Sequence, residues 1–301
     1  MAISVEPLTE EFVAVVRGID LSQPVSEEQV QEIERLIWRY GVLYFPNQPV
    51  TAEEQVRFAG SFGLLATGLQ KKILHKVQDR LNSAAITDIS NINQDGQVAK
   101  NDETMALLNI GNMAWHTDAS YEHHPYRYGF LAAQTAVSWG GNTEFADLRA
   151  AYDALDHRTQ ALIADKTAVF YSHNTRDQLG FNDSEADRRA FPPARWPIVR
   201  THPGSGRKLL WIDSKVTEIS GMSIPEGRAF ALEMIEHIGQ RERVHSHSWT
   251  PGDLIMWDNR SVLHRGRRFD LSEKREMRRV STVDDSSSLG LVGTVRHAIS
   301  A

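Results

Sequence analysis

Short strand-like segments, without a regular alternation of strands and helices, constrain the fold of this chain more than any other feature. Between about residues 84 and 146, β-rich runs are interrupted by turn pairs such as Asp95-Gly96 and Gly140-Gly141. Strands are predicted at 85–89, 128–131, 209–212, 244–249, 254–257 and 279–283. Rossmann and TIM-barrel folds need repeated strand-helix units. The pattern therefore predicts a mainly β fold, an antiparallel jelly roll with flanking helices.

Helix starts are marked by side chains that can cap the free N–H groups of a first turn. These signals predict helices at 26–40, 51–62, 147–155 and 225–238, with Ser26, Thr51, Asp147 and Ser223 at or just before their starts. Between the first two helices, the apolar run Val42-Leu43-Tyr44-Phe45 predicts a strand that is buried on both faces.

Two segments differ from this regular pattern. The segment 171–197 is rich in Asp, Arg and Pro and shows no convincing periodicity, which predicts a functional loop or lid. The Ser-rich stretch from about residue 285 predicts a loose C-terminal tail. No internal repeat is visible, and we expect residues 1–301 to form a single domain.

Composition excludes several classes of site and partner. The chain contains no cysteine, so any metal must be held by His, Asp or Glu, and a disulfide framework or a cysteine nucleophile is excluded. A net charge of −6 argues against a general nucleic-acid-binding protein, because phosphate backbones attract clustered Lys and Arg. No apolar stretch approaches the roughly 18 residues of a membrane span. We expect a cytoplasmic protein that binds neither nucleic acid nor a membrane.

A candidate metal site begins with the pair His116-x-Asp118. On a strand, residues two apart project from the same face, so both side chains can turn toward one ion. His264 follows a predicted buried strand, a polar turn and two apolar residues, and it can supply a third ligand from a distant part of the chain. Two histidines and one carboxylate form a face that leaves three iron positions open for a co-substrate and dioxygen. The alternative is that His264 is an ordinary core histidine.

Arg275 lies eleven residues beyond His264, within a segment, 265–279, that carries seven basic residues. A dicarboxylate that chelates a metal at one end needs a cation at its other end, and the planar guanidinium group suits this bidentate contact. The segment is therefore interpreted either as a solvated basic face or as a site for a small multivalent anion. His-x-Asp, a remote His and a later Arg occur together by chance far less often than any one of them.

With these elements in place, the chain resembles a known family over nearly its whole length. It is similar to the taurine dioxygenase/2,4-dichlorophenoxyacetate dioxygenase family of iron(II)- and 2-oxoglutarate-dependent enzymes, and most similar to the phenoxyacetate branch. The matching stretches are Arg17-Gly18-Ile19-Asp20-Leu21, Val42-Leu43-Tyr44-Phe45-Pro46, Trp115-His116-Thr117-Asp118, Gly140-Gly141-Asn142-Thr143-Glu144-Phe145, the run from Phe145 to Leu155, Trp257-Asp258-Asn259-Arg260 and the closing Arg cluster.

The resemblance implies a double-stranded β-helix (a cupin-like jelly roll) that uses Fe(II), 2-oxoglutarate and O2. It implies that His116, Asp118 and His264 bind the iron. It also implies that Thr143 hydrogen-bonds 2-oxoglutarate and that Arg275 clamps its far carboxylate. Thr143 is alternatively an ordinary turn residue.

Other positions match residues that lie close to the ligands in related enzymes. Asn112 corresponds to a position beside the co-substrate, and Arg279 to one beside the acidic group of the substrate. Lys71 and Lys72, with Lys76 nearby, fall where relatives carry a mobile segment over the substrate. The alternatives are a turn residue for Asn112, a surface charge for Arg279 and solvated side chains for the lysines.

For the activity, the resemblance implies hydroxylation of a small anionic organic acid by a homo-oligomeric enzyme. An aryloxyacetate substrate would give a phenol and glyoxylate, together with succinate and CO2. One alternative keeps the chemistry but takes an alkyl sulfonate or sulfate ester as the substrate. A second alternative is a non-catalytic cupin-like binding protein.

Overall fold

Two sheets form the β framework of the protein, whose computed structural model describes residues 3–67, 80–100 and 110–284. The larger sheet has the order β1 (Ser4–Pro7), β2 (Val13–Arg17), β3 (Val42–Phe45), β13 (Leu254–Asp258), β5 (Tyr126–Thr135), β15 (Glu276–Val283) and β4 (Ile86–Asp88). The smaller sheet has the order β12 (Val244–His247), β6 (Thr143–Asp147) and β14 (Val262–Gly266). Pairing is antiparallel except between β2 and β3, which are parallel.

An apolar cluster fills the space between these sheets. Phe145 and Val262 from the smaller sheet pack with Leu131, Trp257 and Met277 from the larger one. Because each sheet buries one face against the other, the arrangement confirms the predicted jelly roll, the double-stranded β-helix. The other face of the larger sheet is covered by the first two helices.

The remaining elements pack around this framework. Additional sheets contain β7 (Thr167–Phe170), β8 (Ala194–Pro197) and β11 (Val216–Ile219), and β9 (Val199–Thr201) paired with β10 (Lys208–Leu210). The helices are α1 (Glu27–Tyr40), α2 (Ala52–Gly60), α3 (Leu148–Asp153), α4 (His157–Ile163), α5 (Ser172–Gln178), α6 (Glu185–Ala190) and α7 (Ile224–Ile238), and a 3-10 turn covers Arg241–Arg243. None of the described helices has the length and apolarity that crossing a membrane would require.

The predicted helix starts are confirmed, because capping is a local interaction. Ser26, Thr51 and Ser223 each accept a hydrogen bond from the backbone N–H three residues later, and Asp147 caps α3. The predicted strand at 42–45 is β3, with the bounds expected from its apolar run. Helix α2 ends at Gly60, two residues before the predicted end.

The segment 171–197 contains regular structure instead of an irregular loop. It forms α5, α6 and β8, and Ser184 and Asp187 make a reciprocal capping box at the start of α6. Arg176 also forms an ion pair with Asp183 across the connection between these helices. Such short-range polar contacts order a segment without apolar periodicity. A lid role for this segment stays a prediction, and the predicted tail from about residue 285 lies outside the described residues.

Candidate metal centre and adjoining cavity

The two candidate histidine ligands are joined through their backbones. His116 N–H donates to the His264 carbonyl oxygen at 3.1 Å, and His264 N–H donates to the His116 carbonyl oxygen at 2.8 Å. His264 belongs to β14, whereas His116 makes only this isolated bridge. His116 and Asp118 therefore do not share a strand, the arrangement in which residues two apart would face one ion. A single antiparallel bridge, and not a continuous strand, brings His116 to His264.

Asp118 lies in a turn that buried polar side chains hold in place. Its backbone N–H donates to Asn259 Oδ1 at 3.2 Å, and the Thr117 hydroxyl donates to the Asn259 carbonyl oxygen at 2.6 Å. The next residue, Ala119, has a φ of 54°, a left-handed conformation that ends any extended run. Asp213 accepts hydrogen bonds from Thr117 N–H and the Ser120 hydroxyl and fixes the other side of the turn. The turn directs the Asp118 carboxylate toward the two histidines.

The structure brings His116, Asp118 and His264 together as a possible metal site. One potential ligand atom from each lies within 4.8 Å of the others, and all three side chains are buried. His116 Nδ1 lies 2.8 Å from the Ala114 carbonyl oxygen, so this nitrogen carries the proton and Nε2 is left free to bind a metal. Asp118 Oδ2 accepts no hydrogen bond from the described residues despite its burial.

Electrostatics favour the protonation states that bind a cation. Burial lowers the pKa of His264 to about 4, and burial together with the nearby His264 and Lys215 holds the pKa of His116 well below its ordinary value. Burial alone would raise the pKa of Asp118, but Arg279 and the two histidines lower it below its ordinary range. Two neutral imidazoles and one carboxylate with an unsatisfied buried oxygen therefore fit a divalent transition metal.

Arg279 makes a direct contact with this triad. Its Nη1 donates to Asp118 Oδ1 at 2.6 Å, and this oxygen is not the unsatisfied one. Arg279 lies in β15, is buried, and its Nε has no hydrogen-bond partner among the described residues. The surface-charge alternative for Arg279 is therefore wrong. The ion pair orients Asp118 and leaves part of the guanidinium group available to another anion.

A cavity of about 520 Å3 adjoins the two histidines. Its lining includes the sequence-predicted residues Asn112, Thr143, Arg275 and Arg279. Thr143 is buried, and its Oγ1 accepts a hydrogen bond from Trp249 Nε1 at 2.9 Å. The structure thus brings each of these candidates to one cavity. Lys71, Lys72 and Lys76 lie outside the described residues.

Arg275 is the most unusual charged group of the cavity. Its guanidinium group donates to two backbone carbonyl oxygens, those of Ile89 at 3.3 Å and Gly141 at 3.2 Å, and it has no carboxylate partner among the described residues. Burial lowers the pKa of Arg275 to about 10, which leaves it protonated at neutral pH. A buried cation without an anion is costly, so this geometry favours an anionic ligand.

Sequence reasoning missed the apolar mouth of the cavity. Trp139 is 66% exposed, and Ile110, Met113 and Leu271 are between 36% and 48% exposed. Ile110 and Met113 belong to one short segment, and Trp139 and Leu271 come from two other parts of the chain, so no periodic pattern marks the mouth. Lys215 was also missed: its Nζ donates to the Thr117 carbonyl oxygen at 2.9 Å beside the Asp118 turn. By contrast, Asn259 lay within a stretch that carried the family resemblance.

Known proteins resemble this chain over nearly its whole length. An alpha-ketoglutarate-dependent 2,4-dichlorophenoxyacetate dioxygenase of Cupriavidus pinatubonensis is 44% identical over 287 residues, which cover 95% of this chain and 99% of that protein. A protein of the same name from Burkholderia sp. strain RASC is 40% identical over 284 residues, covering 94% of this chain and 95% of the relative.

Solved structures lead to the same group of proteins. The crystal structure of AAD-2 in complex with Mn(II) and N-oxalylglycine matches with a TM-score of 0.87 and 37% sequence identity, and the match covers 96% of this chain and 99% of that one. The family described as taurine catabolism dioxygenase TauD, TfdA family matches residues 4–281. The chain therefore belongs to the TauD, TfdA family of dioxygenases.

Proposed function

We propose that this protein is an iron(II)- and 2-oxoglutarate-dependent dioxygenase that hydroxylates an aryloxyacetate such as 2,4-dichlorophenoxyacetate. One observation carries the proposal: the two histidines of the buried triad border a cavity that is also lined by Arg275, a buried cation without a carboxylate partner in the described part of the chain. A metal site combined with a separate anion site in one cavity fits a chelating dicarboxylate.

His116, Asp118 and His264 would hold the iron and leave three positions for other ligands. The names of the relatives specify alpha-ketoglutarate, which is 2-oxoglutarate, and AAD-2 was solved with Mn(II) and N-oxalylglycine. When bound, iron(II) couples the oxidation of 2-oxoglutarate by O2 to succinate and CO2 with hydroxylation of the substrate.

Arg275 would neutralise the far carboxylate of 2-oxoglutarate through its planar guanidinium group. Thr143 would donate its hydroxyl hydrogen to the same co-substrate, and Asn112 lines the same cavity. These contacts orient the co-substrate, because they fix a charged end and one side of the molecule.

Arg279 would bind the carboxylate of the primary substrate, while its Nη1 stays on Asp118. The apolar mouth formed by Ile110, Met113, Trp139 and Leu271 would accept the aryl ring, since exposed apolar patches of this kind mark binding sites. A small alkyl sulfonate would leave these apolar side chains in water. The mouth therefore favours an aryloxyacetate over the sulfonate alternative.

Hydroxylation at the carbon between the ether oxygen and the carboxylate would give a hemiacetal. Its collapse breaks the bond between that carbon and the ether oxygen, moves the hydroxyl proton to the departing oxygen, and yields a phenol and glyoxylate. No side chain has to act as a nucleophile. The residues of the cavity hold both acids in position and exclude water.

A panel of primary substrates tests this function. We expect oxygen uptake that depends on Fe(II) and 2-oxoglutarate, with equal amounts of succinate and phenol, for aryloxyacetates but not for alkyl sulfonates or sulfate esters. Succinate formation that only sulfonates stimulate would move the protein to the alternative substrate class. The absence of metal-dependent turnover with either group would favour a binding protein.

From the family resemblance, we also propose that the protein is a cytoplasmic homo-oligomer and that Lys71 and Lys72 lie near the substrate anion. Sedimentation of the purified protein tests the oligomeric state, with a mass above the 33.9 kDa of one chain as the expected result. Substitution of each lysine by Met tests the second part, with a higher KM for the aryloxyacetate as the expected result.

A further inference from the structure

We propose that Trp249 is a positioning residue that orients the Thr143 hydroxyl toward the co-substrate. The inference rests on the proposed function, because it assumes that Thr143 binds 2-oxoglutarate. Trp249 itself does not line the cavity, so it would act only through Thr143.

The direction of one hydrogen bond carries the argument. Trp249 Nε1 can only donate, so the bond of 2.9 Å makes Thr143 Oγ1 the acceptor. A hydroxyl has one hydrogen to donate, and the Thr143 hydroxyl donates to no acceptor in the described part of the chain. Because the indole N–H occupies one side of Oγ1, the hydroxyl hydrogen must point elsewhere, and Thr143 borders the cavity.

The backbone of Thr143 is fixed by strand pairing on both sides. Thr143 is the first residue of β6, the central strand of the smaller sheet, where it pairs with His247 of β12 and Gly266 of β14. Pairing on both sides fixes its backbone, so the orientation of the hydroxyl is the variable that remains. In the absence of the indole N–H, Oγ1 could accept a bond from the co-substrate side or from water, and the hydroxyl would no longer be oriented.

Neighbouring side chains fix the Trp249 ring. His247 packs edge-on against it with ring centroids 4.6 Å apart, and His247 Nε2 lies 3.2 Å from Asp253 Oδ2. Asp253 is buried and also accepts the Tyr44 hydroxyl at 2.8 Å. These contacts link the larger sheet to Trp249 and hold the indole N–H at Thr143. A ring held in this way acts as a preorganised donor.

Binding of N-oxalylglycine to the Mn(II)-loaded protein, measured by titration calorimetry, tests the proposal without turnover. Trp249→Phe removes the N–H and keeps an apolar ring, and we expect about three- to tenfold weaker binding, the range for one neutral hydrogen bond. Thr143→Val should weaken binding at least as much. The double variant should match Thr143→Val, because Trp249 acts through the hydroxyl, and Mn(II) affinity should not change.

Trp211→Phe is the matched control. Trp211 is also buried, but its Nε1 has no hydrogen-bond partner among the described residues, so its loss should leave N-oxalylglycine binding unchanged. The inference is overturned if Trp249→Phe binds N-oxalylglycine like the unmodified protein while Thr143→Val binds it more weakly. It is also overturned if Trp249→Phe weakens binding by the same factor in the Thr143→Val variant as in the unmodified protein. If Thr143→Val itself has no effect, the assignment of Thr143 in the proposed function fails, and the inference fails with it.

A second measurement covers the case in which Trp249→Phe does not fold. In protein with 15N-labelled indoles, Thr143→Val should shift one tryptophan N–H signal upfield and speed its exchange with solvent, while Thr143→Ser should leave both close to the original values. An indole spectrum that Thr143→Val leaves unchanged would contradict the proposal.

Discussion

Buried arginines in two regions of the molecule are satisfied in different ways. At the start of α3, Arg149 forms a bidentate ion pair with Asp147 at 2.9 and 3.1 Å and also donates to backbone carbonyl oxygens of α1. Arg260 makes the same kind of pair with Asp258. In the cavity, the Arg275 guanidinium group donates to two backbone carbonyl oxygens, lies over the Phe269 ring and has no carboxylate partner within the described residues.

Arg149 and Arg260 have carboxylate partners within the fold, whereas Arg275 has none among the described residues. Taking a guanidinium ion out of water costs several kcal/mol, which an ion pair can offset. The fold supplies that ion for Arg149 and Arg260. For Arg275, the proposed function assigns this role to a carboxylate of 2-oxoglutarate. Substitution of Arg149 or Arg260 should therefore lower stability, whereas substitution of Arg275 should weaken ligand binding.

The largest expected effect comes from removing a metal ligand from the cavity region. Asp118→Ala and His264→Ala should each lower turnover at limiting iron by at least about a thousandfold, more than the 10- to 100-fold that loss of an outer partner costs. Metal affinity, measured by titration with Mn(II), should fall in parallel. His116→Ala should behave in the same way.

His245→Ala is the control for these variants. His245 is another partly buried histidine of the smaller sheet, but it does not line the cavity, and it should keep near-normal turnover. Near-full activity of a triad variant at limiting iron would contradict the metal assignment and, with it, the distinction between the two regions.

The next largest effects are expected from matched substitutions of the two kinds of buried arginine. Arg149→Met leaves Asp147 buried without its partner and should lower the free energy of unfolding by about 3–5 kcal/mol. Arg275→Met removes a buried cation that has no carboxylate partner among the described residues, so stability should hold or rise. The apparent 2-oxoglutarate requirement of Arg275→Met should rise at least about tenfold, because a charge-assisted bidentate contact is lost.

Urea unfolding and 2-oxoglutarate titration of both variants check this pair. The distinction between the two kinds of buried arginine is contradicted if Arg275→Met loses as much stability as Arg149→Met and keeps its 2-oxoglutarate dependence. In that case Arg275 would be a structural residue and not the clamp. The sequence alternative, Arg278, does not line the cavity, so another cation of the cavity lining would have to hold the far carboxylate.

A smaller and more selective effect is expected at Arg279. Arg279→Gln should raise KM for the aryloxyacetate about tenfold and change KM for 2-oxoglutarate less, because the lost ion pair touches only one of the two acids. It should also weaken Mn(II) binding several-fold, since Asp118 loses the donor that orients it.

Arg278→Gln is the matched control, because Arg278 pairs with Glu276 at 3.1 Å and does not line the cavity. Equal changes in both KM values for Arg279→Gln would indicate that it acts only through Asp118. Unchanged substrate dependence would move the anchor to other cations, with Lys71 and Lys72 the next to test.

The smallest expected effect is the pH dependence of stability in the metal-free protein. Burial lowers the pKa of His264 from its ordinary 6.5 to about 4 in the folded state. Between these values only the unfolded chain takes up this proton. The free energy of unfolding should therefore decrease as the pH is lowered from 6.5 toward 4, by up to about 1.4 kcal/mol per pH unit. His264→Gln should flatten this slope, and urea unfolding at pH 7, 6 and 5 measures it. A slope that His264→Gln does not change would contradict the buried, neutral imidazole.

Local interactions explain which parts of the fold the sequence predicted. The caps at Ser26, Thr51, Asp147 and Ser223 involve residues close in the chain, and the run at 42–45 needs only burial, so these elements follow from short windows. The structure of 171–197 depends on ion pairs such as Arg176 with Asp183, which leave no apolar period in the sequence.

The site was predicted as a set of residues but not as a geometry. Residue type and the family resemblance selected the triad, Thr143, Arg275 and Arg279. The pairing of Arg279 with Asp118 could not be predicted, because it joins residues distant in sequence through tertiary packing. For the same reason, the apolar mouth at Trp139 and Leu271 has no signature in the sequence: its side chains meet only in the folded protein.

The backbone bridge between His116 and His264 has a consequence for how the protein acquires its metal. Two hydrogen bonds of the folded chain set the spacing of these ligands, so the entropy of bringing them together is lost during folding and not during metal uptake. Metal exchange is then a local event at a finished scaffold, unlike in small zinc domains that unfold when the metal leaves. We therefore expect that iron can be withdrawn and replaced by a spectroscopic substitute such as Mn(II) or Co(II) without refolding of the protein.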